Sequence, residues 1–504
     1  MNFISSRVVW VVVLIFAQVA WIFLMILKLG ELNIYITYLF VVLGVIIVVG
    51  IVRTRKNPSY KLAWTILILA VPILGTLLYI AFGRVNSLML HKRKHRRIDE
   101  EMHPLMVSDE GSAQELEAVD EQDRGLSHYL EGMHYPVYYN EYSHYLSSGE
   151  EYFALLCEEI CKAKSFIFME YFIVEREYMW TTLLALLREK AAEGVEVRFM
   201  YDDVGSVWLL PRKYPQTLRK MGIQCRKFNE IRPFVSAIYN NRDHRKMTII
   251  DGRVAFCGGV NLADEYINKK ERFGHWKDGG IMLRGNAVWS FTYMYLGLWN
   301  SVKHTDHDYE KYRVSIKPQF EPDGFVQPYG YSPLDEDLTG ENVYMAIINS
   351  ATKYVYITTP YLIIDNEMMT ALTLASKKGV DVRLITPHIP DKKYIFMLTR
   401  SYYRQLIDSG VRIFEYTPGF LHTKSLVCDD KTAVLGTVNL DYRSLYLHFE
   451  CGAVLYGSQT VGELRDDLLS TMEKSMEIDV EFCRRIPWYE KLAVSFMSLV
   501  APLL

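Results

Sequence analysis

The sequence predicts an α/β protein of two similar lobes related by a pseudo-twofold axis. Mostly parallel sheets covered by helices are expected, preceded by N-terminal transmembrane helices. Three observations lead there: an order of helices and strands occurs twice, a polar signature of fixed spacing closes each copy, and long uncharged runs fill much of the first 82 residues. With 504 residues, 50% of them apolar, the chain can build more than one core, and a formal charge of -3 gives no sign of a nucleic-acid partner.

Residues 8–27 (VVWVVVLIFAQVAWIFLMIL) carry no charge and are long enough to cross a hydrocarbon core, and similar runs follow at 34–52 and 62–82. The first is too long for the apolar part of a signal peptide and has no small-residue cleavage site, so residues 1–83 read as a retained anchor of an integral membrane protein. The charges qualify a simple count of three spans. Arg53, Arg55, Lys56 and Lys61 precede the third run, and six Lys/Arg follow it by residue 97, so both flanks read as cytoplasmic. This places the lobes on the cytoplasmic side; if 8–27 and 34–52 cross, 62–82 enters and leaves the membrane on one face, bending near Pro72 and Gly75, the alternative being an ordinary third span. Residues 84–125 read as a linker. Its basic part, Arg84 and HKRKHRR (91–97), would face anionic headgroups, and its acidic part holds ten carboxylates from Asp99 to Asp123.

The first lobe is expected over 126–320 and the second over 321–486. In the first, a helix (151–163) leads to the strand SFIFMEYFIV (165–174), a helix (180–193), and the strands GVEVRFMYDD (194–203) and MGIQCRKF (221–228). In the second, a helix (341–351) leads to YVYITTPYLI (354–363), a helix (366–378), GVDVRLITP (379–387) and SGVRIFEY (409–416), with matched landmarks 178 to 190 residues apart. Residues 487–504 form an apolar tail, either an interfacial helix or a packed terminal one. The seven cysteines are odd in number, scattered and without a C-x-x-C pair, which suits a reducing compartment; Cys157 and Cys161, one turn apart, read as helix packing.

Each lobe ends its pattern with one signature, HRKMTIIDGRVAFCGGVN (244–261) and HTKSLVCDDKTAVLGTVN (422–439), or H-x-K-x4-D-x6-G-[GT]-x-N. In a strand, His244 and Lys246 share a face, as do His422 and Lys424. Asp251-Gly252 and Asp429-Asp430 suit hairpin turns, and each return strand reaches a glycine before Asn261 or Asn439. Packing of the lobes would gather two His, two Lys and two Asn. That set suits a phosphodiester, whose oxygens need cationic and amide donors before a nucleophile reaches phosphorus. One histidine can attack phosphorus while the other protonates the leaving alkoxide. No carboxylate cluster that would hold magnesium accompanies the motifs, so no metal is expected and the lysines take its place.

Both signatures resemble the paired motifs of the phospholipase D superfamily. Longer stretches resemble bacterial cardiolipin synthases: NPSYKLAWTILILAVPILGTLLYIAFGR (57–84), YNNRDHRKMTIIDG (239–252), GGVNLADEY (258–266), ITTPYLIIDNEM (357–368), EYTPGFLHTKSLVCDD (415–430) and GTVNLDYRSLYLHFE (436–450). The resemblance implies transfer of a phosphatidyl group from one phosphatidylglycerol through a phosphohistidine to a second, releasing glycerol and requiring no cofactor. It implies that His244 or His422 is the nucleophile and the other the acid and base, family custom favouring His244, with Lys246, Lys424, Asn261 and Asn439 on the phosphate. Glu450 matches an acid that orients a histidine, and Asp278 is its counterpart in the first lobe. Asp251 and Asp429 belong to the motif but buttress hairpins. Asn229 departs from the proline of related chains, which puts the loop's shape in question. A hydrolytic phospholipase D or nuclease is the competing enzyme reading, against which the anchor and flanks weigh. A non-catalytic membrane scaffold is the competing non-enzyme reading, against which two intact motifs weigh.

Overall fold

The computed structural model describes residues 20, 23–24, 34–54, 57–83, 89–119, 121–230, 241–314 and 321–501. The first lobe is a seven-stranded sheet in the order Tyr142–Leu146, Gly280–Arg284, Val254–Gly258, Met247–Ile250, Phe166–Tyr171, Glu196–Asp202, Gln224–Phe228. The second is a ten-stranded sheet with the same inner order, from His448–Tyr456 through Thr432–Gly436, Ser425–Cys428, Tyr354–Thr358 and Asp381–Pro387 to Arg412–Tyr416.

The sheets are mixed rather than mostly parallel. In each lobe the three strands joined by helical crossovers run parallel. The motif hairpin and the strand beyond it are antiparallel, because a two-residue turn can only reverse the chain. Both turns form as the sequence predicts, with positive φ at Asp251, Gly252, Asp429 and Asp430. Asn229 also has positive φ, 41°, a conformation closed to proline.

The lobes share a core. The helix Val288–Val302 is buried from Val288 to Asn300, and one apolar cluster joins Phe168 and Ile249 of the first lobe to Val427 and Leu455 of the second. The Sγ atoms of Cys257 and Cys451 meet there at 3.6 Å.

The described residues 89–119 and 121–125 are not a solvated linker. Met89–Met102 is a helix that packs on Val288–Val302 and buries Ile98 and Met102. Ser112–Val119 buries Leu116, and Glu121–Gly132 packs on the helix Thr339–Ser350. This segment packs on both lobes, on Val288–Val302 of the first and Thr339–Ser350 of the second, so no spatial boundary falls at 126. Arg93, Lys94, Arg96 and Arg97 of the basic run stay exposed, and i,i+4 acids pair along it, as in His95–Asp99, Arg96–Glu100 and Arg97–Glu101.

Among the described residues no helix is long and apolar enough to cross a membrane. Ile34–Val52, with 19 residues and no charge, comes nearest at about 28 Å. The run 8–27 lies almost wholly outside the described residues. The run 62–82 is not one helix: Pro58–Ala70 ends at Val71, and a second helix, Pro72–Leu78, turns back on it. Gly75 permits that approach, because a Cβ there would lie 2.3 Å from the Leu67 carbonyl oxygen. The break comes where the proline ring removes a backbone donor.

Candidate active site

His244 and Lys246 sit just before the strand Met247–Ile250, and His422 and Lys424 end just before Ser425–Cys428, rather than inside the strands. Each segment is held by the other lobe. Arg242–Asp243 pairs in parallel with His448–Phe449, and Gly419–Leu421 with His275–Lys277. The amide of His244 donates to Phe449 O at 3.0 Å and that of His422 to Lys277 O at 2.7 Å.

The orienting acids cross between the lobes in the same way. His244 Nδ1 lies 2.9 and 3.1 Å from the Glu450 oxygens, and His422 Nδ1 lies 2.6 Å from Asp278 Oδ2. A carboxylate only accepts, so Nδ1 of each ring carries the hydrogen, which leaves the Nε2 lone pair for chemistry. The motif's [GT] position fits two acids of different length. At Gly259 a Cβ would lie 2.0 Å from Asp278 Oδ1, whereas Thr437 donates to Glu450 Oε2 at 2.5 Å. Ser444 Oγ donates to Glu450 Oε1 as well.

Burial, and then the lysine charges beside them, hold both histidines below their usual range: His244 well below it and His422 at about 4. Burial also lowers Lys246 to about 8 and Lys424 to about 7. Each lysine Nζ donates to the carbonyl of its own motif histidine. The site is thus a buried, electropositive cleft in wait of an anion.

Asn261 Oδ1 accepts from Ile173 N at 2.9 Å and its Nδ2 donates to Tyr266 OH at 2.8 Å, so its amide shapes the wall of the cleft. The side-chain oxygen of Asn439 is buried with no hydrogen-bond partner among the described residues. Asp251 and Asp429 stand at the far ends of the motif strands. Asp251 accepts from the amides of Lys164, Ser165 and Phe166 at 2.7–2.9 Å, and Asp429 from those of Thr352, Lys353 and Tyr354 at 2.7–2.8 Å. Both carboxylates are thus spent on backbone amides at the hairpin turns, away from the cleft.

Sequence reasoning missed the rings around the histidines. Phe172 and His448 flank His244 at 5.1 and 5.2 Å between centroids, and Tyr266 and Trp276 flank His422 at 5.5 and 5.4 Å. A signal was present, since Trp276 and His448 each stand two residues before an orienting acid. Ser444 gave none. Ligand atoms of His244, His448 and Glu450 lie within 4.8 Å of one another, as do those of Glu175, Glu177 and Glu265. Glu450 already accepts from three protein donors, and two lysines oppose a dication in the first group.

Two interlocked lobes, each giving one histidine, one lysine and the other's orienting acid, define the phospholipase D class of enzymes. A crystal structure of phosphatidylserine synthase from Haemophilus influenzae has this fold, with a TM-score of 0.59 at 16% identity over 76% of this chain and 100% of that one. The family described as "Cardiolipin synthase, PLD-like domain" matches residues 156–272 and 344–472, and that described as "Phospholipase D-nuclease N-terminal" matches 41–84. A cardiolipin synthase of Geobacillus thermodenitrificans is 36% identical over 89% of this chain and 90% of its own. An uncharacterized protein of Streptococcus mutans is 42% identical over 91% of this chain and 99% of its own. The chain belongs to the cardiolipin synthase family, phosphatidyltransferases that act on phospholipids.

Proposed function

We propose that the chain makes cardiolipin from two molecules of phosphatidylglycerol through a phosphohistidine. The crossed histidine–carboxylate pairs beside two lysines carry this reading. The lysines take the anionic oxygens of the phosphodiester. The arriving negative charge raises the histidine pKa values, so that one ring takes up a proton while the other stays neutral. Nε2 of His244 attacks phosphorus; the N–P bond forms as the bond to the glycerol oxygen breaks, and His422 gives that oxygen its proton. His422 then removes a proton from the glycerol hydroxyl of the second phosphatidylglycerol, whose oxygen forms the new bond to phosphorus as the N–P bond breaks. Both histidines are more than nine-tenths buried, which keeps water from the intermediate.

The protein is read as multi-pass in the cell membrane, with both lobes on the cytoplasmic side. Contacts on either side of 62–82 support the one-faced dip: Asn57 bonds to Asp365 and Tyr446, and Lys94 to the Val302 carbonyl, all within the lobes. The test is mass spectrometry of products from purified enzyme with phosphatidylglycerol as the only lipid and EDTA present. Cardiolipin and glycerol in equal amounts are expected, and absent from His244→Ala and His422→Ala. Phosphatidic acid alone would mean hydrolysis, and loss of turnover in EDTA restored by one divalent ion would mean that a metal takes part.

A further inference from the structure

The last described helix, Trp488–Val500, is apolar on two opposite faces. One face is accounted for: Val494 and Ala501 are buried, and with Met497 they pack on Ile395 and Leu398 of the helix Lys393–Asp408 and on Ile363. The other carries Trp488, Tyr489 and Leu492, exposed by 76%, 58% and 64%. A terminal helix with one packed face ordinarily turns charge outward, and two large aromatics with a leucine there need an apolar or interfacial neighbour.

Position and charge identify that neighbour. The helix touches Pro58–Ala70, which exposes Leu62, Ile66 and Leu69, and beyond it Ile34–Val52 exposes Tyr38, Leu39, Val42 and Ile46. The three helices follow one another in contact. Arg484 and Arg485, both exposed and sharing Glu481 at 3.6–3.7 Å, stand immediately before the helix. Cations, then a tryptophan and a tyrosine, then apolar residues is the order met on passing through a headgroup layer. The supporting helix Lys393–Asp408 begins beside Lys392, whose Nζ lies 5.7 Å over the ring of Tyr361, and packs on the short strand Leu362–Ile363. That strand pairs with Leu440–Asp441, directly after Asn439.

We propose that the carboxy-terminal helix lies in the surface of an anionic bilayer through Trp488, Tyr489 and Leu492, and sets the height at which the catalytic cleft meets the lipid. The inference rests on the membrane reading above, and the experiment separates the two. In a background with Cys157→Ser and Cys161→Ser, removing the cysteines that are not buried, a spin label is placed by Leu492→Cys, Ile46→Cys or Asp466→Cys. The full-length protein is held in nanodiscs of phosphatidylglycerol and phosphatidylcholine. At 492 the label should be reached by oxygen and shielded from a water-soluble nickel chelate, as at 46 and opposite to 466. Nickel access at 492 equal to that at 466 overturns the inference, and so does shielding from both reagents, which would mean that a second copy covers the face. Water access at both 46 and 492 overturns the membrane reading with it. Joint replacement of Trp488, Tyr489 and Leu492 by serine should slow turnover of phosphatidylglycerol vesicles ~10-fold. Turnover of short-chain phosphatidylglycerol below its micelle concentration should stay within about twofold of normal, and equal loss on both substrates overturns the inference.

Discussion

His244 and His422 sit against lysines held near neutrality, so the site's charge depends on pH in the physiological range. Lys424 at about 7 and Lys246 at about 8 are protonated below those values and lose the proton above them. A phosphate anion favours the protonated lysines, so its binding should take up protons and weaken as pH rises from about 6 to 9. Calorimetry of a short-chain phosphatidylglycerol in two buffers of different ionisation enthalpy reads this directly, and pH-independent affinity without proton uptake would contradict it. The motif aspartates behave differently. Asp251 takes three backbone amides, so Asp251→Ala should cost roughly 2–3 kcal/mol of stability while the folded enzyme keeps its rate. Thermal unfolding beside single-turnover assays at low temperature separates those two effects.

Polar contacts around Asn57 tie the elements that carry the site to the amino-terminal helices. Asn57, which caps Pro58–Ala70, donates to Asp365 Oδ2 and to Tyr446 OH at 3.0 and 2.9 Å. The Tyr446 hydroxyl is 2.6 Å from Asp365 and 2.9 Å from Glu341. Tyr446 belongs to the helix Tyr442–Leu447, which also supplies Ser444 to Glu450. Burial, and then Asp365, raise Glu341 to about 8, so the acid pair keeps a proton at neutral pH. A folded-state pKa raised above the unfolded one gives stability that is full below about 4.5 and is lost as pH climbs to about 8. The contact should therefore loosen as pH rises through that window, and Glu341→Gln should remove the dependence. Hydrogen exchange of 57–83 against pH checks it, and equal pH dependence in both proteins would contradict it.

At the scale of the whole molecule the acids cross: Glu450 of the second lobe serves His244, and Asp278 of the first serves His422. Neither lobe therefore contains a complete half-site, and one chain contains the whole site. Mixing His244→Ala with His422→Ala should restore no cardiolipin, since each protein lacks a residue that its partner cannot lend to the same cleft. Recovered activity would instead mean that sites form between chains. The shared core around Val288–Val302 leads to a second expectation: the lobes should unfold in one transition rather than two, seen as coincident loss of the first- and second-lobe amide protection.

The sequence by itself determined the duplicated lobes, both hairpin turns and the two histidines and two lysines that meet in the candidate cleft. Each of these follows from local rules: periodicity of side chains, the turn preference of Asp and Gly, and an exact repeat of spacing. It also placed the break at Pro72, where a proline cannot continue the hydrogen-bond ladder. Only the tertiary structure decided that the acids serve the opposite lobe's histidines, that Trp276 and His448 wall the cleft, and that the helix Met89–Met102 is packed rather than solvated. Those outcomes depend on what residues far apart in the chain bury together. A charged run such as HKRKHRR looks the same whether its i,i+4 acids face water or its Ile98 finds a core, and the sequence does not hold the surface that Ile98 meets.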